Sequence, residues 1–344
     1  MNRKALLLVN TGTPDTAAVK DVRRFLSRFL NDGRVIDLPW LSRKMLVNLI
    51  IVPFRAPRSA ALYRKLWTDE GSPLLANLEK LVAGLQDRVG QDCDVFGAMR
   101  YGNPSLEKIF RKVAGEGYDE IIIFPLFPHY ASSTTGSVHE LVMKLAAGMN
   151  VIPSLRFINQ YYDNHGFIEA WAENIGRHDP ENHDHVLFSY HSLPLRQVER
   201  GHPEVTVATC NCTESMPEHG RQCYRAACYE TTRLIAARLG LKEGTYSTAF
   251  QSRLTGKWLS PFTDQALEKL AAEGKRKVLV AAPSFTADCL ETVIEIGDEY
   301  RHLFRQAGGE ELMMVQSLND SSLWIDAIVE IAQLGRSTDG NSER

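Results

Sequence analysis

The sequence predicts an α/β fold of two similar doubly wound lobes, each a parallel sheet flanked by helices. Three features carry this reading. Short β-rich apolar runs alternate with segments of helical period along most of the chain. Two runs, Glu120–Leu126 and Val186–Tyr190, are almost continuously apolar, the pattern of strands buried on both faces. And one strand–helix–strand pass occurs twice in related form.

Taken in order, Ala5–Val9 reads as the first strand. Asp15–Leu30 reads as a helix, because Val19, Val22, Phe25, Leu26 and Phe29 share one face. Asp94–Met99 is a strand, Pro104–Ala114 a helix and Glu120–Leu126 a strand; Val186–Tyr190 repeats the buried type. Cys228–Leu239 is helical, Tyr246–Phe250 and Lys277–Ala282 are strands, Leu290–Phe304 is helical, and Leu312–Gln316 is a late strand. The repeat pairs Phe96–Arg100, a helix with Leu106-Glu-Lys and Ile121–Pro125 with Phe250–Arg253, a helix with Leu267-Glu-Lys and Val278–Pro283. Two lobes are therefore expected, at 1–165 and 166–334, with the polar Gly176–Asp184 as linker region and a flexible tail at 335–344.

Composition narrows the function. The 344 residues carry a net charge of −3, with 44% hydrophobic and 24% charged residues, so no nucleic acid is expected as partner. No stretch reaches the ~18–20 apolar residues of a membrane span, and the N-terminal run lacks the context of a signal peptide. A cytoplasmic protein is expected, in which six cysteines are thiols or metal ligands rather than disulfides. The segment Trp40–Phe54, with Arg43, Lys44, Arg55 and Arg58 around it, suits either an anionic or interfacial setting or a partly buried helix and loop.

In open parallel sheets ligands bind beyond the carboxyl ends of strands. Four such ends carry unusual residues: Asn10–Pro14, Pro125–Gly136, His191–Pro194 and Pro283–Glu291. None holds a dinucleotide, P-loop, zincin or nucleophile-elbow motif. His191, just after a strand, can take a proton near neutral pH or bind a metal; an ordinary hydrogen-bonded histidine would occupy the same place. Asp288-x-x-Glu291 has the spacing of a helix capping box. Glu291, Glu295 and Glu299, at i, i+4 and i+8, would stack three carboxylates on one helix side, either as a cation or proton path or as a solvated acidic face.

Taken together, these residues resemble the ferrochelatase family over about residues 4–333. The blocks, in order, are Leu7–Pro14, Gly71-Ser-Pro-Leu74 with Met99-Arg-Tyr101, Pro125–Gly136, Leu187–Pro194 followed by Arg200-Gly-His-Pro203, Phe250–Arg253 with Trp258–Pro261, and Phe285–Thr292. The resemblance implies a chelatase-like fold and a lyase of haem biosynthesis that inserts Fe²⁺ into protoporphyrin IX or coproporphyrin with release of two protons. It makes His191 and Glu291 the catalytic, metal-facing pair and Glu295 and Glu299 the metal path. It makes Thr11, Arg55, Tyr63, Ser72, Met99, Arg100, Tyr101, Trp258 and Phe285 the porphyrin contacts, with the apolar stretch at about 38–58 as a pocket lip on a membrane surface, on its inner face. A cobalt or nickel tetrapyrrole chelatase and a non-catalytic haem carrier are the alternatives, and either a monomer or a homodimer fits.

Three departures stand out. Cys289 lies two before the glutamate, where some members carry histidine, and Thr11 replaces a methionine of some members. An insertion at 204–228 brings Cys210, Cys212, Cys223 and Cys228 within nineteen residues. This resembles the iron–sulfur members of the family, and a 2Fe–2S cluster is expected ahead of zinc, because the C-x₂-C knuckles common in zinc sites are absent.

Overall fold

The computed structural model describes residues 3–201 and 205–334. The tail at 335–344 and the His202–Glu204 part of the expected signature and insertion lie outside the described residues.

Two parallel sheets organise the chain. The first contains β1 (Lys4–Asn10), β2 (Cys93–Met99), β3 (Glu120–Pro125) and the short β4 (Leu155–Phe157), in the order β2-β1-β3-β4. The second contains β5 (His185–His191), β6 (Tyr246–Gln251), β7 (Lys277–Ala281) and β8 (Glu311–Met314), in the order β6-β5-β7-β8. The two orders are the same, so the repeat read from the sequence is a repeat of topology. It extends to detail. The Met99 amide donates to the Pro104 carbonyl at 2.7 Å in the first sheet, and the Phe250 amide to that of Pro261 at 2.8 Å in the second. The central strands are apolar because helices cover both faces: Leu6 to Val9 and Val186 to Phe188 are buried.

The chain forms two compact units, Met1–Leu126 with Ser132–Asn159 and Asp320–Arg344, and Phe127–Ala131 with Gln160–Asn319. This corrects the expected division at 165 in three ways. The chain passes to the second unit at Gln160, where the Tyr161 amide bonds the Pro128 carbonyl and Tyr162 stacks on His129. Gly176–Asp184 is no linker: the Asp184 carboxylate accepts from the amides of Arg276 and Lys277 at the start of β7. And the last helix, Ser322–Ile331, returns to the first unit. There Trp324 meets Phe124 edge-on at 6.4 Å, and Ile325 lies so close to Gly84 that a Cβ there would stand 2.6 Å from it.

Two helical stretches differ from the α-helices expected. Leu290–Tyr300 is π-helical and continues as the α-helix Arg301–Gln306. Trp40–Leu66 is one continuous 27-residue helix with a π-helical part at Leu46–Ile51, longer than the apolar segment read from sequence. By length and composition alone it could cross a membrane. Yet Val47, Val52, Ala56 and Ala60 on one side pack into the core with Val22, Phe25, Leu26, Leu30 and Tyr101. The other side exposes Trp40, Leu41, Met45, Leu49, Ile50 and Phe54.

Candidate functional site

The carboxyl ends of the second sheet bring the predicted metal-facing residues together around a buried glutamine. His191 is the last residue of β5, not the residue after it, and pairs with Gln251 on β6. Its Nδ1 lies 2.6 Å from the Ser192 carbonyl. A carbonyl only accepts, so Nδ1 carries a proton, and in the neutral ring Nε2 then presents a lone pair. The backbone holds the ring in place: the His191 amide donates to Ser284 Oγ at 3.2 Å, and its carbonyl accepts from the Tyr224 hydroxyl at 2.8 Å. Trp258 and Phe285 flank the imidazole, with ring centres at 6.5 and 6.2 Å.

Gln251 joins His191 to the glutamate helix. Its Oε1 accepts from Ser189 Oγ at 2.6 Å, which leaves Nε2 to donate to the Glu291 carbonyl at 2.8 Å and to Glu295 at 3.2 Å. Glu291 is half-buried at the start of the π-helix. The capping box read from the sequence is displaced by one residue. Cys289 is the N-cap and Thr292 its partner, the Cys289 amide donating to Thr292 Oγ1 at 3.0 Å. Asp288 accepts from the Ser317 amide and from Asn319, and from Thr292 Oγ1 at 3.3 Å. Glu291 is thus released from capping. Its carboxylate lies beside the Cys289 thiol, which burial, and then this charge, push well above the ordinary thiol range.

The acidic row does not stay a row. Both Glu295 oxygens are used, accepting from the Ser252 amide at 2.9 Å, Ser252 Oγ at 2.5 Å, the Tyr300 hydroxyl at 2.7 Å and Gln251. These bonds hold Ser252 at φ 62°, a left-handed conformation rare for serine. Glu299 is exposed.

In the first unit the expected porphyrin contacts divide. Thr11 and Tyr63 are half-buried and Arg55 is exposed. Met99 and Ser72 are buried, and the Ser72 hydroxyl bonds Thr13 Oγ1 at 2.8 Å, so neither presents a surface in this structure. Arg100 already has a carboxylate: it bonds Asp32 at 2.8 Å and Ser137 Oγ at 2.8 Å, and the Tyr101 hydroxyl joins the same network through Asp32 at 2.8 Å. Burial works to raise the Asp32 carboxyl, but the bonds from Ser137, the Arg34 amide and Tyr101, with the Arg100 charge, bring it below the usual value.

Of the four insertion cysteines, the Sγ atoms of Cys210, Cys212 and Cys223 lie within 4.8 Å of one another, all buried. Cys228 falls outside this group, because it sits inside the helix Tyr224–Leu239 for which Cys223 is the N-cap. His219 Nε2 lies 3.3 Å from Cys210 Sγ. The neighbouring Cys223 thiol, and then burial, push the Cys212 thiol up; burial raises that of Cys228. His219 carried no sequence signal, and Gln251 and Ser284 lay within flagged segments without a role of their own, since each gains its place only through strand pairing or loop closure.

A doubled parallel sheet with an imidazole and carboxylates at the strand ends of one half defines a two-lobed α/β protein of the chelatase type. The fold is similar to that of SirB from Bacillus subtilis with Fe³⁺ (TM-score 0.53, 12% identity, 96% of this chain and 94% of that one). It is equally similar to the sirohydrochlorin chelatase SirB from Bacillus subtilis subspecies spizizenii in complex with cobalt (TM-score 0.52, 12% identity, with the same coverage). The ferrochelatase family model matches residues 3–334. Ferrochelatases of Legionella pneumophila (strain Lens) and Pseudomonas fluorescens are 40% identical over 331 and 332 residues, covering 96% and 95% of this chain and 98% and 97% of theirs. That of Coxiella burnetii is 40% identical over 339 residues, 96% of this chain and 94% of its own. The chain belongs to the ferrochelatase family, and it is an enzyme, a lyase of haem synthesis that inserts metal into porphyrin.

Proposed function

We propose that the chain inserts Fe²⁺ into a porphyrin with His191 as the base and Glu291 as the carboxylate that receives the metal. The observation that carries this is the tautomer of His191. The bond from Nδ1–H to the Ser192 carbonyl leaves Nε2 as an acceptor with no competing proton. Each insertion releases two pyrrole protons, and a neutral imidazole can accept them in turn and pass them to water. Glu291, free of capping, offers a hard oxygen ligand to Fe²⁺ beside an imidazole, both suitable donors. Gln251 sets the spacing of the two by bonding the Glu291 carbonyl from the strand position opposite His191. Glu295 supports the Ser252 turn, and the exposed Glu299 is the outer carboxylate of a metal path. In the second unit Trp258 and Phe285, which flank the His191 ring, supply apolar surface for the macrocycle.

The helix Trp40–Leu66 lies on a membrane surface with its outer face, and does not span it. Its inner face is packed into the core of its unit, so lipid cannot surround it. Porphyrins are sparingly soluble, and attachment of the protein to a membrane surface shortens their path through water.

Cys210, Cys212 and Cys223, with Cys228 as fourth sulfur, hold a 2Fe–2S cluster. Buried, closely grouped thiols fit that chemistry, and the cluster supplies a structural tie rather than a step of insertion.

The test is anaerobic iron insertion with protoporphyrin and coproporphyrin side by side. His191→Ala should lower kcat by roughly 100-fold or more, with porphyrin binding retained by fluorescence. Glu291→Gln should lose turnover without a matching loss in Tm. Turnover within a few-fold of wild type in His191→Ala would sink the assignment.

A further inference from the structure

The first unit contains a basic cavity of about 760 Å³, in whose lining Arg100 and Tyr101 are already held by Asp32. It opens between the helix Val19–Leu30, the start of the helix Trp40–Leu66 and the helix Ser137–Ala147. Six cations and two carboxylates line it. Glu140 is engaged by Arg34 and Lys144, and Asp32 by Arg100. Arg43 spends its guanidinium on the carbonyls of Leu38 and Ile36. Among the described residues, Arg28 and Lys44 have no carboxylate partner at all. The cavity therefore keeps an excess of positive charge after its internal pairs are counted, and it calls for an anion.

The position of the cavity decides which anion. Arg43 and Lys44 stand on the same helix as the exposed apolar side chains, two and three positions after Leu41 and just before Met45. Trp40 and Leu41 are 65% and 61% exposed, and Leu49, Ile50 and Phe54 continue the apolar surface. A free metabolite would need only the charge. A lipid needs charge and apolar surface side by side, and here both belong to one helix.

We propose that this cavity binds the phosphate headgroup of an anionic phospholipid whose acyl chains lie against the exposed face of the helix Trp40–Leu66. The proposal rests on the membrane-surface reading above and adds to it a defined headgroup site. A phosphate diester enters between Arg28 and Lys44, with Arg43 behind them, and forms charge-assisted hydrogen bonds that water screens poorly inside a concavity. Headgroup and apolar contacts then act together, as two weak membrane signals must for stable attachment.

Co-sedimentation of the full chain with vesicles tests this, using phosphatidylcholine alone and phosphatidylcholine mixed with phosphatidylglycerol. Wild type should prefer the phosphatidylglycerol vesicles, and the preference should fall as salt is raised. A lysine or arginine at an anionic surface contributes about fivefold each, so Arg28→Ala with Lys44→Ala should cost roughly 30-fold on those vesicles. Binding to phosphatidylcholine and iron insertion without vesicles should be unchanged, which shows that the variant folds. Leu49→Ser with Ile50→Ser should lower binding to both vesicles. An undiminished phosphatidylglycerol preference in the double alanine variant overturns the headgroup site. So does binding of inorganic phosphate to the wild type as tight as to the vesicles, which would make the source a soluble anion. Wild type that binds neither vesicle overturns the membrane-surface reading itself, a result distinct from the other two.

Discussion

At the scale of single residues, side chains of one type do different work according to what surrounds them. Glu291, Glu295 and Glu299 look equivalent in the sequence. In the structure one is released at a helix start, one is saturated with donors and one is exposed. Glu295 is a positioning residue, since its four bonds fix Ser252 in a conformation that costs energy. Replacing it by Ala leaves the Ser252 amide and the Tyr300 hydroxyl without their acceptor, and should cost about 1–3 kcal/mol of stability by denaturant unfolding. Tyr300→Phe, which removes one donor and strands nothing, should cost less. If Glu295→Ala instead raised the KM for iron at unchanged stability, Glu295 would be a metal carrier. The place of His191 at a strand's carboxyl end was legible in the sequence, and its role there is what the family resemblance implies. Its tautomer was not, because it depends on a carbonyl one residue on that only the backbone path brings within reach. The capping-box spacing misled by one position because Asp288 prefers Asn319 and the Ser317 amide, partners some thirty residues away.

At the scale of elements, helices with the right apolar period were read correctly and their type was not. A run of apolar residues does not distinguish an α-helix from a π-helix, and the change matters where Leu290–Tyr300 carries the glutamates. The helix Trp40–Leu66 runs past the apolar segment read from sequence, through both Pro53 and Pro57. Pro53 falls in the first turn after the π segment, where its missing amide is tolerated, and Pro57 sits inside a helix held by Ala56 and Ala60 in the core. The cysteine segment is the opposite case: spacing alone announced a metal, and the structure gathers three of the four sulfurs. The raised thiols of Cys212 and Cys228 mean that a metal must displace protons to bind. Iron and acid-labile sulfide should therefore be found per chain in protein prepared without oxygen, and be lost more readily as pH falls. Cys210→Ser, Cys212→Ser and Cys223→Ser should each bleach the visible absorption. Cys228→Ser decides the fourth ligand: retained absorption with a shifted spectrum points to His219, and full loss to Cys228. One zinc per chain without sulfide would replace the cluster by a structural zinc.

At the scale of the whole molecule, the doubled topology was legible because both passes keep the same apolar strands in the same order. The exchange of segments between the units was not. The returning helix Ser322–Ile331 and the Phe127–Ala131 crossing are set by long-range packing, and a sequence read in order assigns them to their neighbours. That packing buries histidines, and these govern how the protein meets acid. Thr231 donates its hydroxyl to the Tyr162 carbonyl, so the bond between His129 Nε2 and Thr231 Oγ1 at 3.0 Å must use the ring's own proton. His129 Nδ1 is then a buried lone pair with no hydrogen-bond partner among the described residues, enclosed by Tyr162, Tyr190 and Tyr224. Burial lowers His129 to about 3, and burial with the nearby Lys275 lowers His185 to about 4. The unfolded chain takes up these protons near pH 6.5 and the folded chain refuses them. Stability contributed in this way is complete above about pH 6.5 and falls as pH drops below it, by up to ~1.4 kcal/mol per pH unit for each such histidine. Carboxylates held low by their partners, such as Asp184 and Asp264, add their own loss only further down, as pH falls through the ordinary carboxylate range. Between about pH 6.5 and 5 the slope therefore belongs to the histidines. His129→Gln keeps a donor for Thr231 and cannot titrate, so its Tm should fall less steeply over that interval than that of the wild type. Parallel Tm curves for the two proteins would show that some other group takes up the protons on unfolding.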